Sequence, residues 1–204
     1  MRKNAEINKK IILAEIKDII TGAAFPFMLQ LIISASVILF ADYSEAVMRV
    51  VALVFGELLL IAAYVIFGRQ NGLTAFRRAV QSEKISELHD GDAPQRVKAG
   101  EYAVWKGFAI GFASVIPFIL LQFVQCVAPN IVTEFLLKYA FGWAAFPFIV
   151  IGQAVGELSQ WLNFIWIVVP IGVHAAAYVY GAKREEIRQR KAAEMQAAKD
   201  KRRR

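Results

Sequence analysis

Apolar residues in this chain gather into unbroken blocks, at 21–40, 46–67, 107–128, 131–155 and 164–182. At ~1.5 Å per residue, a block of this length crosses a ~30 Å hydrocarbon core as a helix. A segment surrounded by lipid must satisfy every backbone amide internally, so the pattern predicts helices and an all-α integral membrane protein. Polar stretches at 1–20, 69–106 and 183–204 separate and flank the blocks.

These stretches have patterns of their own. In the leader 1–20, Ile12, Leu13, Ile16, Ile19 and Ile20 fall on one helical face, with Lys10 and Lys17 off it. That spacing predicts an amphipathic helix lying on the membrane surface ahead of the first crossing. The middle stretch holds a helix, LTAFRRAVQSEKISEL, and then the turn HDGDAP. The tail 183–204 is rich in helix formers and extends the last helix, with Glu186 and Arg190 spaced to pair at i, i+4.

Composition agrees, with 57% hydrophobic residues and a mean hydropathy of +0.45. Ser34-Ala35-Ser36 resembles a secretory cleavage site. A charged leader precedes the block and the apolar run continues past it through VILF, so the block reads as an anchor. Cys126, alone, has no disulfide partner in the chain and reads as packing.

Charge adds an orientation. Lys and Arg number five in 1–20, seven in 69–106 and ten in 183–204, against one in 129–163. Basic segments stay on the cytoplasmic side, which predicts both termini and the middle loop there, in the cell membrane. Trp105-Lys106 would then mark the inner rim, with Trp161 and Trp166 near the outer one. Both termini on one side require an even number of crossings, yet there are five blocks. The segment 131–160 is the exception: it carries Glu134, Lys138, Gly142, Pro147, Gly156 and Glu157. The reading is therefore a bundle of four transmembrane helices, about 21–40, 46–67, 107–128 and 164–182. An outward re-entrant or interfacial hairpin at 131–160, bending near 141–143, completes it; the alternative is five transmembrane helices.

The chain also echoes itself. AAFPF occurs at 23–27 and 144–148, AAYV at 62–65 and 176–179, and GEL at 56–58 and 156–158. Internal repeats are common in transporters. Apolar helices also reuse Ala, Phe, Val and Tyr by chance, so duplication and coincidence both remain open.

Candidate chemistry lies inside the blocks. The chain has no nucleotide-binding glycine loop, nucleophile elbow or zinc motif. His89, Asp90 and Asp92 read as a solvated turn, so no metal, cofactor or enzymatic activity is expected. Glu57 and His174 are each near the centre of their blocks, and Gln30, Ser114 and Gln122 lie at similar depth. Tyr64 shares a face with Glu57 at i+7, and Tyr178 one with His174 at i+4. An ionised group at mid-bilayer is costly unless it faces the bundle interior with a partner. The expectation is a midplane polar site in which Glu57 and His174 meet and titrate together. The alternative is that these side chains act as interhelical hydrogen-bond glue. Gly107-x-x-x-Gly111 and Gly172-x-x-x-Ala176 predict close helix packing.

The function expected is that of a small solute or ion transporter, or a membrane subunit of one. The rival is a non-catalytic scaffold or assembly factor acting through its basic tail. Lys199, Lys201, Arg202, Arg203 and Arg204 are candidates for contact with anionic lipid, and partner subunits or a homo-oligomer are possible partners. Nucleic acid is not expected, because the tail lacks aromatic stacking residues.

Overall fold

A computed structural model of the 204-residue chain describes residues 2–42, 44–88, 102–142 and 160–203. All regular structure among them is helical: α1 (Arg2–Asp42), α2 (Ala46–Leu88), α3 (Val104–Val127), α4 (131–142), a 3-10 helix (Gln160–Ile167) and α5 (Val168–Arg203). Four helices are long and apolar enough to cross a membrane, over Ile12–Phe40, Val47–Gln81, Val104–Val127 and Trp161–Arg202. Their outward surface is apolar, with Val47 75% and Phe25 69% exposed. Lipid suits such a surface and water does not.

Packing pairs fix the directions. Val37 faces Gly56 and Gln30 bonds Tyr64, so α1 and α2 run antiparallel. Gly68 faces His174, Gly72 faces Tyr178 and Arg77 meets Glu185, so α2 and α5 run parallel and share the largest interface. α3 runs against both, with Ser114 beside Tyr64 and Gly107 beside Tyr178. One end of the bundle therefore gathers the start of α1, the end of α2, the start of α3 and the end of α5. This is the basic end.

The α3–α4 turn is built by side chains. Asn130 caps α4, its Oδ1 accepting the Thr133 N–H at 2.9 Å, and the Thr133 hydroxyl donates to Gln125 on α3. From this turn α4 leads back into the bundle, where Phe141 packs on Phe27 and Phe118. Trp161 of the 3-10 helix lies against Phe123, near the end of α3. The segment between α3 and α5 thus leaves from and returns to the same end of the bundle.

Several expected boundaries move. Residue 20 is no break, since α1 is one helix that runs from the leader into the first apolar block. Ile12, Leu13, Ile16 and Ile20 point outward, while Glu15 and Asp18 pair with Lys106 and Arg78, both at 2.7 Å. The first half of the 69–106 loop is helix, because α2 continues to Leu88. Its length of ~65 Å, at ~1.5 Å per residue, is about twice a bilayer core. α5 likewise runs through the tail, with Arg190 and Glu186 paired at 2.5 Å. The turn with His89, Asp90 and Asp92, the bend beyond residue 142 and the second AAFPF lie outside the described residues.

Beyond the apolar part, Arg77 and Glu185 fasten α2 to α5 at 2.8 Å. The hydrogen bond and charge of Arg77 hold the Glu185 carboxyl below its ordinary pKa.

Candidate functional site

The polar residues predicted at mid-block divide into three places. At the first, Tyr64 (1% exposed) donates its hydroxyl to Gln30 Oε1 at 2.7 Å and lies 3.1 Å from Ser114 Oγ. Ser114 in turn donates to the Gly111 carbonyl at 2.7 Å. Three helices are joined here by one chain of hydrogen bonds, and every side chain in it is buried.

The second place centres on His174, which is fully buried. Its Nδ1 lies 3.0 Å from the Gly107 carbonyl, which can only accept, so Nδ1 carries a proton. Nε2 is 3.4 Å from Asn71 Nδ2, which also donates to the Gly22 carbonyl at 3.1 Å. The network is complete for the neutral imidazole, a tautomer assigned from the partners. Local sequence explains the Gly22 carbonyl. Pro26, inside α1, has no N–H to donate to residue 22, and Asn71 supplies the missing donor.

Glu57 forms the third place. It is 9% exposed, and two cavities of about 10 Å³ flank it. One includes Ser34, Val37 and Gly56; the other includes Tyr64, Trp166 and Pro170. A water needs ~10–15 Å³, so each cavity is at the lower limit for one. The Trp166 indole is the donor set against Glu57. Even so, Glu57 Oε1, Trp166 Nε1 and Ser34 Oγ are buried without a hydrogen bond of ordinary geometry.

The expected meeting of Glu57 with His174 is not found. No hydrogen bond or ion pair joins them among the described residues; His174 is committed to Gly107 and Asn71. The cause is register. Gly68 and Asn71 face His174, and they lie 11–14 residues along α2 from Glu57, roughly 16–21 Å at ~1.5 Å per residue. Trp166, on the expected rim, faces Glu57 instead. Tyr64 lines the Glu57 cavity and stands edge-on to the His174 ring at 6.3 Å between centroids. No hydrogen bond among the described residues links the two sites, however, and groups this far apart add. The stability costs of Glu57→Gln and His174→Gln, from thermal melts in detergent, should therefore sum in the double variant to within ~0.5 kcal/mol. A larger departure would mean that the two sites communicate.

Two more predicted residues belong elsewhere. Tyr178 stacks on Tyr102 (5.6 Å between centroids, 13° between planes) and lies toward the basic end with Ala75 and Ile110. Gln122 lies two turns beyond Ser114, with Cys126 Sγ 3.6 Å and Asn163 Nδ2 3.5 Å away. Gly107 and Gly111 do meet α5, at Tyr178 and Ile171, but Gly172 faces open space, so the Gly172-x-x-x-Ala176 contact is not made. In the tail, Lys199, Lys201 and Arg202 are exposed, and the side chains of Arg203 and Arg204 lie outside the described residues.

Sequence reasoning missed Asn71, Asp18 and Arg78. Together with Thr21, Thr74 and Tyr178 they line a cavity of about 240 Å³ between α1 and α2 near the basic end. Asn71 belongs to both this cavity and the His174 network. Among the described residues no cluster of His, Cys, Asp or Glu could hold a metal ion. Compared with protein-family models, curated proteins and solved structures, the chain matches none.

Proposed function

We propose that this chain is a cell-membrane protein that carries a small solute or an ion, alone or as a subunit of a transporter. Glu57 is its proton- or cation-responsive carboxylate. The observation that carries the reading is a buried carboxylate whose Oε1 lacks a hydrogen bond of ordinary geometry, with the Trp166 indole as the facing donor and a cavity of about 10 Å³ on either side. A structural carboxylate in lipid would be paired with a cation; one that faces an indole instead is placed to exchange a proton or cation. Polar groups continue from it toward the basic end, through Tyr64, Ser114, His174 and Asn71 to the larger cavity. The test is ion uptake into proteoliposomes with and without the Glu57 carboxylate.

The topology that fits is four crossings, with 131–160 as a re-entrant or interfacial hairpin and both termini cytoplasmic. Support comes from the basic segments at one end and from the shared end at which 128 leaves α3 and 160 begins the return. In a Cys126-free background, cysteines at Ser82 and Ala192 should resist impermeant thiol reagents added outside, and one at Ser44 should react. Labelling at Ala192 would require five crossings.

The scaffold reading draws on the exposed basic end of α5. Lys199, Lys201 and Arg202 suit anionic headgroups, each worth ~1 kcal/mol close to such a surface. The two readings are compatible, since a subunit both carries and assembles.

A further inference from the structure

The 240 Å³ cavity has a chemistry that the Glu57 reading does not use. Its walls carry one acid and one base, Asp18 and Arg78, joined at 2.7 Å with side chains 24% and 52% exposed. We infer that the cavity receives the headgroup of a zwitterionic lipid bearing a primary ammonium, of the phosphatidylethanolamine class. Asp18 takes the ammonium and Arg78 the phosphate.

Charge narrows the ligand first. An exposed ion pair contributes only ~0–1 kcal/mol, so Asp18 and Arg78 separate at little cost. A lone anion would face Asp18 and a lone cation Arg78, whereas a zwitterion engages both. The ammonium's substituents come next. A primary ammonium has three donors, and Asn71, Thr74 and Thr21, whose hydroxyl donates to the Lys17 carbonyl and keeps lone pairs to accept, line the same cavity. A trimethylammonium needs open aromatic faces. The two rings here, Phe25 and Tyr178, each have one face covered already, by Phe67 at 5.7 Å and Tyr102 at 5.6 Å.

Position then selects a lipid over a soluble zwitterion. Phe25, on the cavity wall, is 69% exposed on the lipid-type surface of α1 and stacks on Phe67, a surface along which acyl chains can lie. Ile110, also on the wall, is about 9 Å along α3 from Val104, next to exposed Trp105, the kind of residue that marks a membrane interface. The cavity is also smaller than the ~300–1,000 Å³ pockets that enclose drug-sized ligands, as suits a headgroup whose chains stay outside. The inference shares Asn71 and the cavity with the route drawn from Glu57, but its test reads lipid binding rather than ion uptake, so either reading can fail alone.

The test uses the purified full chain in detergent and short-chain phosphatidylethanolamine, phosphatidylcholine and phosphatidylglycerol of one chain length, with binding read by native mass spectrometry. Phosphatidylethanolamine should be retained at least tenfold more strongly than the other two. Asp18→Asn and Arg78→Gln should each remove that preference. Thr74→Val, which leaves the ion pair intact, should weaken phosphatidylethanolamine alone by several-fold. Circular dichroism confirms that each variant is folded before it is scored. Equal retention of the three lipids, or a preference unchanged in the folded variants, overturns the site. Glycerophosphoethanolamine binding as tightly as the lipid overturns the lipid occupant.

Discussion

Glu57→Gln should reduce pH-driven ion uptake in proteoliposomes to the level of protein-free vesicles, while the purified protein melts no lower than the parent. The two halves of this expectation have one cause. Glutamine keeps the size of the side chain and removes only its ability to ionise. Glu57 Oε1 makes no hydrogen bond of ordinary geometry, and the glutamine carbonyl keeps an acceptor facing the Trp166 indole, so the fold has little bonding to lose there. An ionised carboxylate at the centre of a spanning helix costs ~2.5–3.5 kcal/mol or more, so its neutral isostere is tolerated or favoured. Glue behaves in the opposite way. If Glu57 held helices together, the variant would melt lower and any uptake loss would follow unfolding. Dye-reported uptake and a melt on the same preparation separate the outcomes. Full uptake by a folded Glu57→Gln protein would end the carrier reading.

Much of the site was legible, and the part that was not has an identifiable cause. Glu57, Gln30, Tyr64, Ser114 and His174 stand out because a polar residue inside an apolar block is costly, and all five are buried in the bundle. What one sequence lacks is vertical register. Counting from block centres put Glu57 and His174 at one depth. The glycine contacts of α2 with α5 instead set His174 against Gly68 and Asn71. Asn71 escaped notice because the apolar block stops at residue 67, although α2 does not. A signal was present in AAFPF: a proline four residues after Gly22 strands a carbonyl, and a polar side chain had to answer it. The leader shows a second limit. Periodicity grouped Ile12, Leu13, Ile16 and Ile20, which all point outward, but it also took in Ile19, which packs on the cluster of Ala23, Ala75, Ile110 and Tyr178. In a membrane bundle the apolar face turns outward and the ion-pairing residues inward.

The glycine register also supports the largest stability effect. Gly68-x-x-x-Gly72 on α2, which sequence reading passed over, makes a closer approach than either motif it singled out. A methyl group at Gly72 would fall on the Tyr178 carbonyl oxygen, and one at Gly68 would come within 2.7 Å of the His174 carbonyl oxygen. Backbone cannot rotate aside as a side chain can, so α2 and α5 would have to part along their whole contact. Overpacking of this kind costs ~1–3 kcal/mol and sometimes more. Gly72→Ala should therefore lower the melting temperature in detergent by several degrees and loosen Asn71, next in sequence, from Gly22 and His174. Gly172→Ala is the matched control. Nothing lies within 4 Å of its new methyl. Replacing a helical glycine by alanine there should be neutral or stabilising by up to ~1 kcal/mol. Equal melting temperatures for Gly72→Ala and the parent would mean that α2 and α5 do not meet at Gly72. The register that sets His174 apart from Glu57 would then fall with that contact.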